Sequence, residues 1–154
     1  TNNTERLRVL AGGGLTFNAD TAAANALDDY EQGTWTPVYA AGMTNVTYTA
    51  TEGEYTKIGN VVTFACRIYG TGSTNGDHLK IGGLPYTQNN DNALGVAAVG
   101  YMNGLVSSND EIFVLVGNNT SQLHFYHGGG GAFGGNSGNG ISGRTLHLAG
   151  HYYV

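Results

Sequence analysis

From Thr34 onward, short runs of alternating polar and apolar residues are cut at close intervals by glycine and asparagine, and no run keeps a helical period. This pattern constrains the fold more than any other feature. The runs are Trp35–Tyr39, Val46–Thr49, Glu54–Ile58, Val61–Tyr69, His78–Ile81, Leu94–Met102, Glu111–Val116, Gln122–Tyr126 and Thr145–Tyr153. Valine, threonine and tyrosine recur in them, and these residues suit a pleated, half-buried surface. Short strands punctuated by turns, with no helix between them, predict an all-β fold, an antiparallel β-sandwich or jelly roll. Pro37 cannot donate to a ladder, so Trp35–Tyr39 reads as an edge strand. Gly59-Asn60 has the chemistry of a two-residue hairpin turn.

Glycine takes 26 of the 154 positions and only 11% of residues are charged. That excludes a coiled coil and argues against a helical domain. Aromatic and β-branched residues are too plentiful for a disordered segment. The net charge is −5 and the lysines and arginines are scattered. No basic stripe exists to neutralise a phosphate backbone, so nucleic acid is not an expected partner. No apolar run approaches the ~20 residues of a membrane helix, so no membrane insertion is expected. Cys66, inside the apolar run Val61–Tyr69, reads as a buried, inert thiol outside any disulfide framework.

Residues 1–33 differ from 34–154, and the expected division is a leader followed by one head domain. Leu7 and Val9 alternate with polar neighbours, and Leu15 and Phe17 do the same after Gly12-Gly13-Gly14. Asp20 can cap one helical turn over 20–26. Two short strands and a turn cannot bury their apolar residues alone. Leu7, Val9, Leu15 and Phe17 therefore read as contacts to sister copies, and Trp35 as core. The start at Thr1, without methionine or signal peptide, reads as a piece of something longer.

Chemistry-bearing residues are sparse. The carboxylate clusters Asp28-Asp29-Glu31, Glu52-Glu54 and Asp110-Glu111 lie at turns or on a polar face, and a structural role is favoured over the paired acids of a glycosidase. His124 and His127 sit near one strand end, while His147 and His151 share a strand face. They lack a metal-binding spacing, and strand-face packing is favoured over an axial metal in an oligomer. No activated nucleophile is identifiable. No catalytic residue, metal or cofactor is expected.

The loops carry more promise. His127 to Gly143 reads HGGGGAFGGNSGNGISG, with nine glycines between two convincing strands. It is either a floppy connection or a binding loop. In the second reading Tyr126 and His127 lead into it, and Phe133, Asn136 and Asn139 are its recognition groups. Thr74, Asn75, Asp77 and His78, at the Gly70–Gly76 loop, have similar chemistry, as does the polar run Asn89–Asn92. Aromatic faces stack on sugar rings while amides and carboxylates read the hydroxyls.

Four phrases in order carry a resemblance. They are Leu27-Asp28-Asp29-Tyr30-Glu31-Gln32-Gly33-Thr34-Trp35-Thr36-Pro37-Val38, then Gly53-Glu54-Tyr55-Thr56-Lys57-Ile58-Gly59-Asn60-Val61-Val62, then Gly83-Leu84-Pro85, then Gly150-His151-Tyr152-Tyr153-Val154. Together they resemble the C-terminal heads of a group of tail fibre proteins from phages of aquatic bacteria. The resemblance covers most of the chain from Leu27 onward, and the leader is similar to the shaft ends of trimeric fibres. It implies a parallel homotrimer in the virion, joined to the remainder of the tail fibre. The implied function is non-enzymatic binding of a bacterial surface glycan, such as lipopolysaccharide, or an outer-membrane protein. The alternatives are a purely structural fibre or capsid-spike domain and, less favoured, a glycan-degrading tailspike.

Overall fold

A computed structural model describes residues 5–22, 26–27, 29–90, 95–103, 111–135 and 140–154. The described residues form an all-β structure without a helix. The leader holds β1 (Leu7–Val9) and β2 (Leu15–Phe17), an antiparallel pair. The head holds β3 (Tyr30–Trp35), which crosses the expected boundary between residues 33 and 34 because it pairs along its length with β5, then β4 (Val38–Ala41), β5 (Met43–Ile58), β6 (Val61–Thr74), β7 (Lys80–Gly82), β8 (Val96–Met102), β9 (Ile112–Val116), β10 (Gln122–His127) and β11 (Arg144–Tyr153). These nine strands make one sheet in the order β3-β5-β6-β11-β8-β9-β10-β7-β4, with every pairing antiparallel.

The strand order has a direct geometric meaning. β3 and β4 are the two outer edges of the sheet, yet only Thr36 and Pro37 separate them in sequence. The sheet must therefore curl until its edges almost meet. The expected single edge strand Trp35–Tyr39 is in fact split at Pro37 into two edge strands, because proline cannot donate to either ladder. Across the seam the Tyr39 N–H donates to the Tyr48 hydroxyl at 2.8 Å, and the two rings stack.

Curling brings side chains from distant strands into one core. Trp35 of β3, Phe64 and Ile68 of β6 and Tyr152 of β11 belong to the same buried cluster as Tyr39 of β4, Ile81 of β7 and Phe125 of β10. Period-two alternation sends these residues inward and their neighbours outward. Trp35 is 7% exposed and meets Phe64 edge to face, at 6.1 Å between centroids. Phe64 meets Tyr152 in the same manner at 6.0 Å. Cys66 is buried in this layer, and burial pushes its thiol up to about 12. The thiol is expected to resist thiol reagents in the native state and to react only on unfolding; rapid labelling of the native protein would contradict this.

Two expected strand breaks are absent. Val46–Thr49 and Glu54–Ile58 belong to one 16-residue strand, and β6 continues through the Gly70–Gly76 stretch as far as Thr74. Glycine is there for packing. A Cβ on Gly53 would lie 2.5 Å from Trp35 Nε1, so the indole lies directly on that backbone. A Cβ on Gly72 would lie 2.7 Å from the Thr44 carbonyl, where β5 is bulged. Gly59 does turn the hairpin, with a φ of 58°.

One end of the curled sheet is crossed by residues 83–90. Leu84 N–H donates to Ser121 O, Gln88 N–H to Thr120 O, and Asn89 N–H to Tyr153 O. Gln88 is fully buried, and its side-chain oxygen accepts from Gly95 N–H at 3.0 Å. Beside this cap, the Glu31 carboxylate accepts hydrogen bonds from both the Tyr55 and Tyr86 hydroxyls. Lys57 pairs with Asp29 and lies 5.7 Å from the Tyr86 ring centroid. This group ties β3 and β5 to the capping segment. The Tyr55 hydrogen bond, then that of Tyr86, hold the Glu31 carboxyl below its usual range. The stabilisation it gives is present above the ordinary carboxylate range and lost as pH falls through the depressed value. Glu31→Gln is thus expected to lower the melting temperature at neutral pH and to lose that deficit in acid. An equal deficit at both pH values would count against the carboxylate.

Candidate functional site

The register separates the head into two ends. At one end lie the Ile58–Val61 turn, paired through Ile58 with Tyr30, and the chain end at Tyr153 and Val154. The leader joins the head here, where Gly59 N–H donates to Asp29 O. At the other end, Met43 pairs with Thr74, Arg144 with Gly70, and His127 with Ile112. Two of the expected recognition stretches, 74–78 and the start of the glycine loop, therefore converge away from the leader. The polar run near Asn89 lies at the leader's end instead, and Asp91 and Asn92 lie outside the described residues.

The glycine loop is built, not floppy, in its described part. His127 N–H donates to Gly131 O, and Gly130 N–H to His127 O, which closes a tight turn. Gly129, Gly130 and Gly131 stand in open space. The chain then returns to the body: Tyr126 bridges Ala132, and His78 bridges Gly134. Phe133 N–H donates to Phe125 O, and Leu79 N–H to Phe133 O, at 2.9 and 2.7 Å. Gly135 N–H donates to Asp77 O, and a Cβ on Gly135 would lie 1.8 Å from Gly42 O. Only glycine permits that approach.

This arrangement corrects the expectation for Phe133. Its backbone is held between Phe125 and Leu79, so its side chain drops inward and is 1% exposed. It is a core residue beneath the tip and cannot stack on a sugar there. Thr74 is corrected too: it ends a strand rather than sitting in a loop. Asn75 and Asp77 do lie at the tip, where the Asn75 amide donates to the Asp77 carboxylate at 2.7 Å. Tyr126 and His127 are half-buried at the same end. Asn136 and Asn139 lie outside the described residues. In the leader, Leu7, Val9 and Phe17 are 54%, 72% and 55% exposed, while Leu15 is half-buried and bridges Leu27.

Residues that the sequence does not bring together complete the site. His124 and Tyr126 alternate with buried Leu123 and Phe125, so they share the outer face of β10. Lys80 of β7 lies opposite His124. The His78 ring packs against both His124 and Tyr126, at 5.4 and 4.9 Å between centroids. His78 Nε2–H donates to the Phe125 carbonyl at 2.7 Å. His124 Nε2 is buried without a hydrogen-bond partner. Burial, then Lys80 and His78, push the His124 imidazole down to about 4. The unfolded chain takes up that proton near the ordinary histidine value of 6.5, so stability falls as pH drops from 6.5 towards 4. His124→Gln is expected to flatten the melting-temperature profile across this window; an unchanged slope would remove His124 as its cause.

A shallow trough crosses the outer face of β3, β5, β6 and β11. Its two parts measure about 350 and 660 Å³ and share Glu54, Ala65 and Ala149. Glu52 and Glu54 lie on its wall, but Glu52 meets Arg67 at 3.5 Å and both are well exposed. Its floor is small and lacks an exposed aromatic platform. His147 lies at one side, edge to face with Tyr101 at 5.7 Å. No group of three or more potential metal ligands exists among the described residues. Comparison with protein-family models, with curated proteins and with solved structures finds no match. The geometry of the tip therefore carries the functional reading.

Proposed function

We propose that this chain is the distal head of a phage tail fibre that binds a bacterial surface receptor. The receptor is a glycan such as lipopolysaccharide, or an outer-membrane protein. In this reading the head is a jelly-roll-like sandwich in a parallel homotrimer, the leader is the end of the shaft, and the protein works in the virion. One observation carries the proposal: the leader joins one end of the strands, and the 74–78 and 127–135 segments converge at the other. A shaft entering through the leader presents those segments outward. The exposed Leu7, Val9 and Phe17 support association, because a two-stranded pair leaves them in water unless sister copies cover them. Three copies of a shallow site then give avidity without high single-site affinity.

The test combines a variant lacking Gly129–Gly131 with host-cell adsorption. These glycines are held only by hydrogen bonds to the His127 backbone, and a Cβ on any of them would meet nothing, so the fold is expected to survive. Adsorption is expected to fall well below wild type while the melting temperature holds. Full adsorption by the variant would exclude the turn, and no adsorption by wild type to any plausible host would favour a purely structural fibre domain. Replacing Leu7, Val9 and Phe17 together by serine is expected to convert a trimer to monomer in sedimentation; a monomeric wild type would overturn the oligomeric reading.

A further inference from the structure

The outer face of β7 and β10 gathers polar groups that the protein does not use for itself. In the head, Lys57 pairs with Asp29 and Arg67 with Glu52, while Arg144 donates to the carbonyl oxygens of Gly140 and Asn103. Lys80 has no hydrogen bond or ion pair among the described residues, although it is half-buried in a chain of net charge −5. Directly across the ladder is His124, whose Nε2 is buried and unpartnered. Tyr126 stands on the same face, and its hydroxyl also lacks a partner among the described residues. His78 joins them with its Nε2–H donating to the Phe125 carbonyl, which leaves Nδ1 to accept a hydrogen bond, as from a sugar hydroxyl. Among the described residues, the acids nearest in the chain are Asp77, whose carboxylate accepts from Asn75, and Glu111, which lies beside Gly128.

A buried polar atom without a partner and a half-buried cation without a counter-charge are both unfavourable in isolation. An acidic sugar answers both: its anionic oxygens accept from the Lys80 ammonium, and its hydroxyls suit the imidazole nitrogens. Flat aromatic surface beside it suits a ring. We infer that Lys80, His124, His78 and Tyr126 form a subsite for an acidic sugar, with Lys80 on its carboxylate or phosphate, the imidazoles beside its hydroxyls and Tyr126 against the ring. This rests on the adhesion reading and names the class of receptor.

The test follows the imidazole carbon-bound proton signals of His78 and His124 in the whole protein by NMR. Sodium glucuronate, glucose 1-phosphate and uncharged glucose are titrated separately to millimolar concentrations against a sodium chloride baseline. The two histidine signals are expected to move with at least one anionic sugar, and to stay in place with glucose. The arm that moves them assigns carboxylate or phosphate. Lys80→Met, which keeps the aliphatic stem, is expected to weaken the response at least tenfold with its melting temperature preserved. Signals unmoved by both anions, equal movement with glucose, or an undiminished response in Lys80→Met would each overturn the subsite. Cell adsorption separates the two readings. Equal adsorption by wild type and Lys80→Met removes the subsite from attachment and leaves adhesion standing. An anion response from a protein that adsorbs to no host leaves the subsite standing and ends the adhesion reading.

Discussion

Phe133→Ala is expected to lower the unfolding free energy by about 3–5 kcal/mol, the usual range for emptying a buried phenylalanine site. Phe133 lies in a run of glycines, but it is 1% exposed and belongs to the main core cluster. Its backbone is hydrogen-bonded to Phe125 on one side and Leu79 on the other, so the surroundings have little freedom to collapse into the void. The loss is also expected to spread to the tip, because Gly134 and Gly135 are held to His78 and Asp77 just beyond it. Denaturant unfolding reads the first effect, and hydrogen exchange of the Leu79 and Gly135 amides reads the second. A stable Phe133→Ala protein with unchanged exchange would place Phe133 outside the core.

Trp35→Ala is expected to cost a similar amount, about 3–5 kcal/mol. The indole packs edge to face on Phe64 and covers the backbone at Gly53. Gly53→Ala drives a methyl group into that indole and is expected to cost about 1–3 kcal/mol by overpacking. The pair gives a stricter test than either change alone. With the indole gone, the Gly53 methyl meets empty space, so the double variant should be more stable than the sum of the two losses requires. Additive losses would mean that Gly53 is needed for some reason other than Trp35.

The sequence made most strands legible because they face a core on one side and solvent on the other. Val61–Tyr69 and Thr145–Tyr153 alternate cleanly, and the structure pairs them residue for residue through Val61 and Tyr153. Gly53, Gly70 and Gly72 misled, because a glycine that makes room for a distant neighbour looks like one that breaks a strand. Phe133 misled for the opposite reason. One buried anchor among flexible residues has no periodicity to reveal it. The candidate subsite was invisible as a unit. His78 and Lys80 meet His124 and Tyr126 only through the pairing of β7 with β10, and nothing local announces that pairing. Closure of the sheet was equally hidden, since it depends on where Thr36 and Pro37 stand among nine strands.

The placement of the leader and the tip at opposite ends has a mechanical consequence. A pull between them runs along the strands, while the hydrogen bonds of an antiparallel ladder run across them. The load therefore acts in shear. The six residue pairs between β3 and β5 must slide together instead of opening one after another, and β5 passes the load to β6 along most of its length. Because Thr36 and Pro37 tie the two edges, the pull also reaches β4 and β7 from the other side. Such a head holds by its whole girth when its tip is anchored and its base is tugged.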